Sequence, residues 1–225
     1  MSALFETLAA YWPEMWQGSL ETLLITLISV LFAYLIGMPV GVLLITSKRD
    51  GIRPNKTLNA ICGSVVNIGR SIPFVILLLA LMPLTQLIVG TSIGTEGIIV
   101  PLIIAAAPFV ARMVEQSLQE IDPGVVEAAK TMGATNWQII YKVLLPESVP
   151  SLIRGLSITT ITVVGYTALA GMVGGGGLGA IAVNYGLYRY DYTVMYIAVI
   201  LLMVIVFLFQ LIFNCTAKAI DKRNR

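Results

Sequence analysis

The chain has no histidine, two cysteines and few charges. Without histidine it lacks the commonest general base and metal ligand near neutral pH. Cys62 and Cys215 lie far apart, each in or beside an apolar stretch. No disulfide framework or metal motif follows from them, and they read as small buried fillers. Charged residues make up 12% of the chain, against about 25% in soluble domains. The formal net charge of +2 argues against nucleic acid as the main partner. No lysine follows glycine in a G-K-[ST] arrangement, so the chain cannot power pumping through a P-loop of its own. There is no GxSxG elbow. Asp50, Asp122, Asp191 and Asp221 fall in loops or at the ends of apolar spans, so no intramembrane aspartate pair is formed. The expectation is a chain with no catalytic residues, no metal and no cofactor. Residues 1–17 carry no Lys or Arg but do carry Glu6 and Glu14. A cleavable secretory signal needs a basic start and is not expected here.

What the chain does have is apolar length. The hydrophobic fraction is 57% and mean hydropathy is +0.89. A soluble fold of this length could not hide so much apolar surface, so lipid must be the solvent. Five segments reach the ~20 residues that cross ~30 Å of hydrocarbon as a helix. They run over about 18–46, 65–89 (or from Leu58), 97–118, 151–173 and 192–213. Helix is the only open-chain solution in lipid, which satisfies no backbone groups. The expected architecture is therefore an all-α integral membrane protein, one membrane-spanning domain over 1–225 with five transmembrane helices.

Lys and Arg set the expected direction. Lys48, Arg49, Arg53 and Lys56 follow the first span. Lys130 and Lys142, flanked by Arg112 and Arg154, lie between the third and fourth. Lys218, Lys222, Arg223 and Arg225 form the tail, and the opposite side has only Arg189. The positive-inside rule then puts the N-terminus outside and the C-terminus in the cytoplasm.

The second span is irregular, with Arg70 followed by Ser71, Ile72 and Pro73. Arg at the centre of a lipid-facing helix costs about 2.5–3.5 kcal/mol on insertion scales. Either Arg70 snorkels to the cytoplasmic interface, or it faces a polar cavity or a partner subunit. Asn59 and Asn67 keep both readings open. Pro73, Pro83, Pro101 and Pro108 loosen their helices locally.

Residues 120–148 form a polar insert between apolar spans. Asp122 suits an N-cap and Pro123 the first helical position. Val125, Val126, Ala129 and Met132 make one apolar face at helical spacing. Gly133 can end the helix in the left-handed conformation. Thr135 with Gln138 fits a capping box for a second helix. Trp137, Ile140, Tyr141 and Leu144 form the apolar face of that helix, and Pro146 is expected to stop it. Three uses compete: a hairpin lying on the bilayer, a DNA-binding helix-turn-helix, and a dock for a cytoplasmic protein. Residues 120–147 set two lysines against four carboxylates, a net of −2, the wrong sign for phosphate. The run at Gly174, Gly176 and Gly179 matches GxGxxG formally. It follows a membrane helix rather than a strand, so a flexible outer loop or close helix approach explains it better than a dinucleotide site.

The insert carries a resemblance. Glu127-Ala128-Ala129, then Gly133, then Leu145-Pro146 resembles the EAA motif of ATP-binding-cassette importer permeases, with Val143 where Ile is usual. Arg70 to Phe74, Gly90 to Gly94, the run AAPFVARMVE at 106–115 and the run VGYTALAGMVGGGGLG at 164–179 are similar to methionine-type permeases of that class. The resemblance implies a type I importer permease in a bacterial inner (plasma) membrane, with 120–148 as a cytoplasmic coupling-helix pair. It implies ATPase-coupling roles for Glu127, Ala128, Ala129, Gly133, Ala134, Leu145 and Pro146. It also implies a homodimer, two copies of a P-loop ATPase that hold ATP and Mg²⁺, and an extracytoplasmic substrate-binding lipoprotein. Arg70, Tyr166, Thr167, Leu169 and Met172 are candidates for the pathway, Leu169 near where the family's pathway closes. Plain helix packing explains any one of these five equally well. The alternative is a stand-alone secondary transporter or channel for a small polar solute. That class shows inverted repeats or paired intramembrane charges, and the sequence shows neither. A third reading, an intramembrane enzyme, meets the missing bases.

Overall fold

The computed structural model describes residues 2–221, with side chains from Ala10 to Asp221. Lys222, Arg223 and Arg225, counted above in the tail, lie outside the described residues. The elements are α1 (Ser2–Thr46), α2 (Lys56–Ser71), α3 (Phe74–Val89), α4 (Gly94–Gly97), α5 (Ile99–Gln119), α6 (Pro123–Thr131), α7 (Asn136–Ile139), α8 (Leu145–Ala170), α9 (Gly177–Ile181) and α10 (Tyr192–Ile220). Wide π turns occupy Ile140–Leu144 and Ala182–Tyr188, and a 3-10 turn occupies Gly171–Val173. Among the described residues four helices are long and apolar enough to cross a membrane, or five if one bent pair counts as a span.

That bent pair is the second expected span. It is not one helix over 65–89: α2 and α3 meet at 104°. Ile72 precedes a proline and is biased away from the α region. Pro73 sits extended at φ −59°, ψ 132° and starts α3. Arg70 therefore lies in the last turn of α2, beside the bend, rather than inside a continuous membrane helix. Its guanidinium stands 6.0 Å from the Phe109 ring centre.

Pro146 does not stop the helix of the insert. Helix runs without interruption from Asn136 to Val173, 38 residues. Proline in a helix leaves a carbonyl one turn back without its donor and crowds it. Here the chain widens just before the proline, with the Leu145 N–H donating to the Ile140 carbonyl five residues back. The π turn absorbs the proline, as such turns do when a regular ladder cannot close.

The chain divides into two compact units. One comprises residues up to Phe32, Ile72–Ala106 and Thr160–Gln210. Its core gathers Met15, Leu178, Val194, Ala198 and Ile205. The glycine run is built into this core and is not a loose loop. Gly177 has φ +81°, a value glycine adopts cheaply. Its N–H donates to Glu21 Oε2 at 2.9 Å, and the Leu178 N–H donates to Thr22 Oγ1 at 3.0 Å. Side chains of α1 thus satisfy the first donors of α9. A Cβ on Gly179 would lie 2.6 Å from the Ala168 Cα, so close approach is what this glycine permits.

The other unit comprises Ala33–Ser71, Ala107–Thr159 and residues from Leu211 onward. Leu44, Val66 and Ala111 form its core cluster. Within it α1 lies directly on α5. A Cβ on Gly37 would come 2.6 Å from the Ala107 carbonyl oxygen, and one on Gly41 the same distance from that of Ala111. This is the small-xxx-small contact that lets membrane helices approach closely.

Candidate coupling surface

The surface is set by its caps. Asp122 Oδ1 accepts from the Gly124 N–H at 2.8 Å, with Pro123 at the start of α6. Gly133 has φ +79°. Its N–H donates to the Lys130 carbonyl at 3.0 Å, and the Ala134 N–H donates to the Ala129 carbonyl at 3.1 Å. That pair of bonds is the Schellman ending, and it needs the left-handed residue. Thr135 and Gln138 close a full capping box: the Thr135 N–H donates to Gln138 Oε1 at 2.8 Å. α6 and α7 are therefore joined by a turn whose residues leave little freedom.

Buried Ile121, Ile139 and Leu144 anchor this hairpin. The apolar face expected on α6 is only partly covered. Val126 and Ala129 are half-buried, whereas Val125 and Met132 are exposed. On the second helix Trp137 is 70% exposed and Tyr141 64%, their rings stacked at 5.8 Å. A nine-residue helix against one support can cover only one of its sides. The stacked Trp137–Tyr141 pair, with Val125 and Met132, is left as exposed apolar surface on the hairpin, a feature that marks a protein or membrane contact where it is contiguous. Glu127, Ala128, Gly133 and Pro146 are also exposed, and Ala129, Ala134 and Leu145 are half-buried.

Two features here have no local signature in the sequence. A cavity of about 400 Å³ separates the segment after α1 from α6, with Lys48, Asp50, Val126, Glu127 and Lys130 among its walls. Behind it Glu115, buried, is bridged by Lys48 at 2.9 Å and by Arg112. Arg112 also donates to Asn67 Oδ1 at 2.6 Å. One carboxylate thus ties the end of α1 to α5, and through Arg112 to α2. Only distance in space joins these residues.

The pathway candidates on α8 and the turn after it differ in exposure. Tyr166 stacks on Phe74 at 4.5 Å. Thr167 is buried and donates to the Val164 carbonyl. Leu169 and Met172 are exposed, on one face with Gly165.

The family described as the binding-protein-dependent transport system inner membrane component matches residues 33–225. The chain is 49% identical over 203 residues to the probable D-methionine transport system permease protein MetI of Vibrio cholerae serotype O1, covering 90% of each chain. It is 45% identical over 210 residues to the methionine import system permease protein MetP of Bacillus subtilis (strain 168), covering 93% of this chain and 95% of that one. A solved structure of the MetNI methionine ABC transporter in inward-facing conformations superposes with a TM-score of 0.91 at 48% identity. It covers 93% of this chain and 99% of that one.

Proposed function

The chain belongs to the binding-protein-dependent transport system inner membrane components, and from that membership we propose that it is the permease subunit of an ATP-driven methionine importer. The observation that carries this reading is the capped, apolar-tipped hairpin at 122–146 in a chain matched nearly end to end by methionine permeases. The protein is a multi-pass protein of the inner membrane. The Lys and Arg distribution supports an outside N-terminus and a cytoplasmic hairpin and C-terminus.

Two copies of the chain enclose the pathway, and each presents its hairpin to one P-loop ATPase subunit. Glu127, Ala128, Ala129, Gly133, Ala134, Leu145 and Pro146 form the contact together with Trp137 and Tyr141. ATP and Mg²⁺ act on the ATPase, and this chain contributes motion rather than chemistry. ATPase closure moves the hairpin, and because helix runs on from Asn136 to Val173 the displacement enters the fourth span directly. That is rigid-body switching of a two-state element. Of the pathway candidates, Leu169 and Met172 have the exposure a lining residue needs. Arg70, at the bend, can move with α2. Substrate arrives on a separate extracytoplasmic binding lipoprotein.

The test is co-expression with the cognate ATPase and binding protein, followed by purification and uptake of labelled methionine. Glu127→Lys and Gly133→Trp should abolish both the complex and ATP-driven uptake. An intact complex with normal uptake in either variant overturns the coupling assignment, and background uptake by the native set overturns methionine as substrate.

A further inference from the structure

We propose that the lower ends of α8 and α10 form a headgroup site for one anionic phospholipid. A cavity of about 440 Å³ opens there, lined by Arg154, Asn214, Ala217, Lys218 and Asp221. Arg154 on α8 faces Asn214 and Lys218 on α10 across it. The last two lie one turn apart and so share a face. Arg154 Nε donates to the Pro150 carbonyl at 3.3 Å, which steadies the guanidinium. Its Nη2 is 3.6 Å from Asp221 Oδ2, beyond hydrogen-bond length. Within this cleft two cations stand against one carboxylate, an excess that suits one phosphodiester; Glu120 and Glu147 line the adjoining cleft, which shares Arg154 and Asp221 with it. The Asn214 amide adds neutral donors, and buried Ala217 gives the cleft a small floor.

The apolar groups beside the cleft select a lipid over a soluble phosphate. Ile158, one turn along α8 from Arg154, is 51% exposed, and Leu211, one turn along α10 from Asn214, is 50% exposed. Both lie on the span side of the cations, where acyl chains would run. In α10 only 11% of the most apolar window is buried. Snorkelling cations on an open helix surface would accept any headgroup. A cleft with two cations, an amide and a carboxylate favours a headgroup that carries net negative charge and hydroxyls. The inference rests on the cytoplasmic placement of these ends given above.

The experiment is native mass spectrometry of the permease–ATPase complex released from micelles doped with phosphatidylglycerol or with phosphatidylcholine. The native complex should retain phosphatidylglycerol preferentially. Among the described residues Lys218 makes no ion pair, so Lys218→Gln should fold normally. It should cut retention about fivefold, the value of one cation near an anionic surface, and Lys218→Arg should restore it. Equal retention by native and Lys218→Gln complexes overturns the site, as does equal retention of the two lipids. Displacement of the lipid by inorganic phosphate would make this a free-anion site and also overturns the proposal. A reporter fused to the C-terminus tests orientation separately. A cytoplasmic C-terminus without lipid selectivity rejects the headgroup site and leaves the permease reading standing.

Discussion

Glu115 sits where Lys48 and Arg112 converge, and it is the carboxylate that bridges both of them there. Its side chain is only 5% exposed, whereas Lys48 is 33% and Arg112 24% exposed, so solvent screens the network in part and less than it does a surface pair. Glu115→Ala leaves Lys48 and Arg112, both partly exposed, without their shared carboxylate. Losing a hydrogen bond to a charged group costs about 1.5–3 kcal/mol, and Glu115→Gln, which keeps an acceptor, should cost less. Thermal unfolding of the detergent-purified protein reads the difference, and a Glu115→Ala variant that melts with the native protein removes the network from the fold's support. No sequence reading singles out Glu115, because its partners lie in other helices. The caps at Asp122, Gly133 and Thr135 are legible for the opposite reason: each is satisfied within a few residues of itself.

The elements divide along the same line. Apolar length made the spans readable, since crossing lipid sets a length no loop can imitate. Proline was misleading twice, in opposite directions. Pro73 ends a helix inside what reads as one apolar span, and Pro146 fails to end one, because the π turn before it takes up the missing bond. Neither outcome is encoded by the proline alone. The α1–α5 contact is legible afterwards as Gly37 and Gly41, one turn apart. It predicts that Gly41→Ala, whose Cβ would meet the Ala111 carbonyl, forces the two helices apart and loses roughly 1–3 kcal/mol, the usual cost of overpacking. Gly63→Ala is the control. Its Cβ would meet nothing nearer than Leu44 Cδ2 at 3.9 Å, so it should be neutral, or stabilising by up to about 1 kcal/mol through helix propensity. Melting both variants side by side decides it: equal losses would mean that close approach is not what these glycines supply.

For the whole molecule, the question is how a change in another protein reaches the membrane spans. A loose hairpin would dissipate motion. This one has a Schellman ending, a full capping box and a second helix that continues into the fourth span, the rigidity that the proposed coupling role requires. The tip is where Trp137 and Tyr141 are left exposed, and aromatic groups of that kind dominate protein interfaces when a pocket desolvates them. Among the described residues the Trp137 ring is 70% exposed and stacks on Tyr141. Trp137→Ala should therefore leave the melting temperature of the isolated permease unchanged. It should cost the ATPase contact about 2 kcal/mol, the threshold of a hot spot, which is roughly a thirtyfold loss of affinity. Titrating the ATPase onto immobilised permease measures that loss, and labelled uptake at saturating ATPase measures what remains. If affinity falls while uptake at saturation recovers, Trp137 holds the partner and the backbone of the hairpin carries the motion. If neither quantity changes, the exposed aromatic pair lies outside the coupling contact.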